Sequence, residues 1–171
     1  MNTPVNNLTA DEVRAALDYD PATGAFTRRG GFHAKRWGGK PAGVVHKGHG
    51  YVVIKLGTRG YLAHRLAWLH VHGVWPSLKL DHKNGVRSDN RIENLREVTD
   101  QQNTWNRKRH VTNEAGVKGV SYKEHLRNKW CATIRVDGKQ RHIGVFPTKE
   151  AAHEAYKRAA ERHFGEYARS E

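Results

Sequence analysis

The sequence predicts an α+β chain in which short antiparallel strands, punctuated by glycine, alternate with capped helices. Three observations lead there. Polar and apolar residues alternate over short stretches closed by turn dipeptides, as in Lys129–Val136 ahead of Asp137-Gly138. Helix-start signals recur, with Thr9 three residues before Glu12 and Thr99 three residues before Gln102. Ala152, Ala155, Tyr156, Ala159, Ala160 and His163 fall at helical spacing. A chain of 171 residues suits one ordinary domain or about two to three very small ones. Repeats and low-complexity tracts are absent from the sequence.

The elements follow in order. Thr9 to Leu17 reads as a helix whose capping box is Thr9 and Glu12, and Asp20-Pro21-Ala22-Thr23-Gly24 is a turn. Strands are expected at Ala25–Arg28, Ala42–Val45, Tyr51–Leu56 and Tyr61–Ala63. Between the first two lies Arg28–Trp37, a basic stretch with interleaved aromatics. It suits contact with phosphates and bases, or is simply a surface loop. His64–His72 reads as a helix with Leu66 and Leu69 on one face, ended by Gly73. His64, His70 and His72 read as packing or surface histidines rather than metal ligands. Leu78–His82 and Glu93–Val98 are expected strands, and Asp100 to about Arg109 a helix. That compact unit has little core of its own and needs the preceding helix as support. The polar stretch His110–Gly116 reads as a linker. Beyond it, strands at Gly119–Tyr122, Lys129–Val136 and Arg141–Phe146 precede a helix from Pro147-Thr148 to Gly165. The alanine stripe of that helix lets it lie close on one face of the sheet, leaving the other face free and basic.

Thirty Lys and Arg against 17 Asp and Glu give a formal charge of +13. The excess is spread along the chain, at +5 over residues 1–60, +4 over 61–110 and +4 over 111–171. A polyanion is the expected partner, because phosphate contact releases counterions. No apolar run approaches membrane-spanning length, and the N-terminus lacks a signal-peptide core. Cys131 is the single cysteine, so no intramolecular disulfide forms, and a reducing cytosol is the expected compartment.

The chemistry concentrates between residues 80 and 103. Asp81 and His82 are adjacent, Asn94 follows, and Asn103 comes after eight intervening residues. A neutral imidazole can take a proton from water, while a carboxylate and an amide oxygen can hold a hard divalent cation. Successive side chains on a regular strand point to opposite sides, so Asp81 and His82 can serve one site only at a twist or a strand end. Asn84-Gly85 nearby supplies such a turn.

This spacing, over about residues 60–109, resembles the HNH endonucleases, in the phage and intron homing branch where Asn replaces the last His. The resemblance implies a ββα-metal core. It makes Asp81 the first metal ligand, His82 the general base, Asn94 the central Asn that braces the loop between the strands, and Asn103 the ligand on the helix. Asn90 is the other candidate for the central Asn, but only Asn94 has the family spacing to Asn103. The oxygen-rich ligand pair favours one magnesium or manganese ion per site over zinc. The lone cysteine excludes the four-Cys zinc site of some relatives.

Residues 117–168 resemble the Apetala-type DNA-binding domain of plant ethylene-response factors. The matching pieces are Lys118-Gly119-Val120, Lys129–Arg135, Ile143–Phe146 and Ala151–Tyr156. The resemblance implies a three-stranded antiparallel sheet packed on one helix, with the sheet in the major groove of duplex DNA. Lys118, Lys129, Trp130, Arg135 and Arg141 are then the expected contacts. Trp130 serves either stacking or sheet packing. Ser121 and His142 depart from the family pattern, so base preference does not transfer.

These readings give four segments: an N-terminal β-rich region (1–60), an HNH core (61–110), a linker (111–116) and a C-terminal DNA-binding domain (117–171). The expected function is metal-dependent hydrolysis of duplex DNA by a monomer without membrane attachment. It would act in the cytoplasm, that of the host cell if phage-encoded, since the chain resembles phage-encoded proteins. The alternative is a DNA-binding regulator that keeps the HNH fold without cutting.

Overall fold

The computed structural model describes residues 8–30, 38–106, 113–126 and 129–168. Most of the basic stretch expected before Trp37, the end of the helix expected to reach Arg109 and the start of the expected linker lie outside them. Helices and sheets are mixed throughout, and the chain divides into two compact units, residues 1–99 and 100–171. The division falls before the Asp100 helix, whereas the sequence reading put the boundary at 111–116.

The first unit opens with α1 (Ala10–Ala16), capped by Thr9, whose hydroxyl accepts from Glu12 N while the Glu12 carboxylate accepts from Thr9 N. The helix stops one residue sooner than expected, because Leu17 enters a strand. β1 (Leu17–Asp20) pairs with β2 (Ala25–Arg28), which pairs with the short β3 (Pro41–Ala42). Asp20 closes the β1–β2 turn by accepting from Ala22 N at 2.9 Å and the Thr23 hydroxyl at 2.6 Å. This turn chemistry makes Leu17–Asp20 a strand that hydrophobic patterning alone did not reveal.

Gly43, at φ +108, breaks the expected strand Ala42–Val45 in two. β4 (Val44–Val45) therefore joins a second sheet with β5 (Val52–Leu56) and β6 (Arg59–Leu62). Ala63, expected to end that last strand, begins α2 (Ala63–His72) instead. α2 ends on Gly73 in the left-handed region, and the Arg14 guanidinium donates twice to His70 O, at 2.7 and 3.0 Å. Val13, Leu17, Phe26, Ile54, Leu66 and Leu69 form the core joining these elements. Leu95, from β8 (Leu95–Val98), belongs to the same cluster and fastens the β7–β8 hairpin to it. β7 spans Lys79–His82. β8 begins two residues later than expected, because Ile92–Asn94 form a single 3-10 turn.

The second unit contains α3 (Asp100–Trp105) and a sheet of order β11-β10-β9. Its strands are β9 (Val120–Lys123), β10 (Lys129–Val136) and β11 (Lys139–Phe146). Asp137 and Gly138, both at positive φ, make the tight turn between the last two. α4 (Lys149–Phe164) buries Ala152, Tyr156, Ala160 and Phe164 against the sheet. Gly119, at φ +74, lies against the Tyr156 ring, where a Cβ would overlap the ring and approach Thr133 O to 2.8 Å. Small residues on helix and strand thus let the two layers close up. Among the described residues no helix is long and apolar enough to cross a membrane.

Candidate active site and nucleic-acid face

The β7–β8 register sets Asp81 opposite Arg96 and His82 opposite Leu95. The two motif side chains therefore leave opposite faces of the hairpin. On one face Arg96 donates to Asp81 Oδ2 from Nη2 at 3.2 Å and from Nε at 3.3 Å. Both side chains are nearly buried, at 9% and 10% exposure. On the other face His82 is 3% exposed. His82 is also the last residue of its strand. Gly85 N donates to His82 O, and Lys83 N to Asn94 O, so the chain turns away immediately after it.

The His82 ring sits in an aromatic seat. His64 meets it edge to face with centroids 5.1 Å apart, Tyr51 lies at 5.8 Å, and Asn90 Oδ1 is 3.5 Å from Nε2. Burial pulls the His82 pKa below 6.5, opposed by the Asn90 contact and the Asp81 charge. The imidazole is therefore neutral at ordinary pH, the form that accepts a proton. His64 is driven further, to about 3, by burial first and then by His82 and Arg65. Its Nδ1 is buried and finds no hydrogen-bond partner among the described residues.

Asn94 is buried and lashed to the loop. Its Oδ1 accepts from Asn84 N at 3.1 Å, and its Nδ2 donates to Asn84 Oδ1 at 3.1 Å and to Asp89 O at 2.9 Å. Asp89 accepts from Asn84 Nδ2 and from both Nε and Nη2 of Arg91. The Arg91 hydrogen bonds hold its carboxyl down to about 2. This closed network fixes residues 83–94 although they are neither strand nor helix for most of their length.

Asn103 lies half-buried on α3, in the second unit. Trp105, on the same helix, stacks on Phe164 at 4.6 Å, Lys118 Nζ donates to Trp105 O at 2.7 Å, and Gln101 Nε2 donates to Asp137 Oδ1 at 2.9 Å. Among the described residues there is no group of three or more His, Cys, Asp or Glu that could hold a metal ion. The candidate donors are instead one carboxylate and one amide oxygen. That set suits a magnesium-like ion, which keeps several waters and binds few protein ligands.

The second sheet sorts the expected DNA contacts. Lys129 and Arg135 alternate with Trp130, Ala132, Ile134 and Val136 and are exposed on the face away from α4. Trp130 packs with the buried Val120, Ala132 and Ala152, and its ring is 5.1 Å from Tyr122. Arg141 pairs with Ile134, which puts it on the helix side of the sheet, although exposed. Lys118 is the amine on the Trp105 carbonyl.

Tyr51 and Arg96 are the site neighbours that sequence reasoning passed over, whereas Asn90 was weighed only for the central Asn and His64 only as a packing or surface histidine. Arg96 carried a signal, as an opposite charge on the strand facing Asp81. The His64 signal was its place at the start of the supporting helix.

A buried imidazole at a strand end, a loop braced by asparagine and a carboxylate on the adjoining residue thus share the β7–β8 hairpin. An HNH endonuclease family model matches residues 61–104. Protein 3.8 of Escherichia phage T7 is 30% identical over 107 residues, covering 62% of this chain and 87% of that protein. Residues 61–104 thus carry an HNH endonuclease domain, and the chain is related to Protein 3.8 over most of that protein's length. An uncharacterized HNH endonuclease of Acanthamoeba polyphaga mimivirus is 35% identical over 107 residues. That match covers 61% of this chain and 54% of the relative. Among solved structures, one reporting DNA binding and cleavage by the HNH homing endonuclease I-HmuI matches with a TM-score of 0.40 at 24% identity. The match covers 81% of this chain and 75% of that one.

Proposed function

We propose that the protein is a metal-dependent endonuclease that hydrolyses phosphodiester bonds in duplex DNA, of the homing type, acting as a monomer in a host cytoplasm. The observation that carries the reading is His82, a buried neutral imidazole at the mouth of a hairpin whose adjoining residue is a carboxylate. His82 takes the proton of the attacking water. Asn94 keeps the loop after His82 closed, so the ring does not drift. Asp81 and Asn103 would each offer an oxygen to one magnesium or manganese ion, and such an ion would supply neutralisation of the phosphate and stabilisation of the leaving oxygen. Burial keeps His82 neutral, and the ring contacts of His64 and Tyr51 limit its rotation. Residues 117–171, an Apetala-like module, anchor the duplex, with Lys129 and Arg135 the best-presented cations and Lys118, Trp130 and Arg141 further candidates.

The test is plasmid cleavage by the full chain in magnesium, in EDTA, and with His82→Ala. Cutting that needs magnesium and falls by roughly a hundredfold or more in the variant, with DNA affinity unchanged, is the expected result. Binding without cutting in every condition would favour the regulator.

A further inference from the structure

The loop between β7 and β8 carries two buried asparagines, and the network of Asn94, Asn84, Asp89 and Arg91 closes it without the Asn90 side chain. Asn90 is 3% exposed. Its Nδ2 donates to Ser88 O at 3.2 Å, which turns Oδ1 the other way, to 3.5 Å from His82 Nε2. That separation is long, as resting catalytic pairs are before substrate tightens them. An amide oxygen only accepts, so the pair is attractive when Nε2 carries the proton. A neutral imidazole with its proton on Nε2 has its lone pair on Nδ1.

Asn90 is itself held from behind. The Tyr19 hydroxyl, on β1, donates to Asn90 O at 2.8 Å. Gly24, at φ +72 in the β1–β2 turn, packs so close that a Cβ would overlap Arg91 N and lie 2.6 Å from the Asn90 carbonyl carbon. The N-terminal hairpin is therefore wedged against the backbone on either side of this one residue. The ring contacts of His64 and Tyr51 restrict His82 to the orientation that Asn90 meets.

We propose that Asn90 is a positioning residue for His82. It selects the Nε2–H tautomer, leaves Nδ1 as the proton acceptor, and is kept in register by the β1–β2 hairpin. The proposal rests on reading His82 as the base, but its first readout needs no cleavage. That readout is the imidazole nitrogen spectrum of the ¹⁵N-labelled full chain, without DNA or metal, with His82 identified by its loss in His82→Gln. The expected wild-type spectrum shows protonated Nε2. Asn90→Leu, close in size but without an acceptor, loses that preference, and Asn90→Asp, which keeps an acceptor, retains it. In magnesium, Asn90→Leu lowers kcat about tenfold or more with KM for DNA unchanged, and Asn90→Asp restores most of the loss. Tyr19→Phe, which removes one oxygen and leaves Asn90 in place, moves both readouts the same way by less. A wild-type ring protonated on Nδ1, or an unchanged tautomer in a folded Asn90→Leu, overturns the proposal. A wild type that shows protonated Nε2 yet cuts no DNA overturns the nuclease reading while leaving the tautomer assignment standing.

Discussion

Asp81 and His82 are sequence neighbours with opposite electrostatic surroundings, and their variants should behave differently. Asp81 is ion-paired with Arg96, both nearly buried. Removing the carboxylate takes away the counter-charge of a desolvated guanidinium, so Asp81→Ala should lose about 2–3 kcal/mol of stability in urea unfolding. It should also raise the magnesium concentration for half-maximal cleavage. Asn103→Ala should raise that concentration without a comparable loss of stability. An unchanged magnesium titration for both variants would remove them as ligands. The histidines give a pH signature. With the His82 pKa held below 6.5 by burial, cleavage limited by its base form should persist below pH 6.5 and fall only further into acid. His64, near 3 when folded and 6.5 when unfolded, binds fewer protons in the native state across that window. Its contribution to stability is complete above pH 6.5 and is lost as pH falls from 6.5 towards 3. His64→Phe should flatten this slope in unfolding measured between pH 7 and 4, and an unchanged slope would mean that His64 titrates normally.

At the scale of elements, α3 is the informative piece. None of its six residues is buried, so the helix depends on contacts made beyond itself. Trp105 supplies one through its stack on Phe164, and the Lys118 ammonium supplies another at the helix's last carbonyl. Trp105→Ala should cost the second unit about 2 kcal/mol, less than a fully buried tryptophan because the ring is half-exposed. The melting of the first unit should stay in place. A chain ending near residue 110 would lack Phe164 and Tyr167, the aromatic neighbours of Trp105, and α3 should fray in it. Circular dichroism and amide exchange of α3 in that fragment would show full protection if the idea is wrong.

Across the whole molecule the charge of +13 should govern affinity for nucleic acid and its salt dependence. Lys129→Ala and Arg135→Ala should each reduce the slope of log affinity against log salt by about one contact's worth, because both leave the open face of the second sheet. Arg141→Ala should change it less, since its register places it on the helix side. Equal slopes for all three would detach the open face from DNA binding.

The sequence by itself determined the local structure and the identity of the candidate donors. The capping box at Thr9, the Gly73 helix stop and the Asp137-Gly138 hairpin are short-range features, fixed by residues within a turn of one another. The spacing of Asp81, His82, Asn94 and Asn103 was likewise legible, because a motif is a sequence distance. Tertiary structure decided what surrounds them. β1 exists because a turn folds Leu17–Asp20 onto a partner, and Arg96 meets Asp81 because a twelve-residue loop closes in one register. Asn90, with Asn94 preferred for the central role on spacing, reaches His82 because a hairpin some seventy residues earlier in the chain holds the loop there. Such contacts depend on which surfaces bury one another, and burial is a property of the folded chain rather than of any stretch of it.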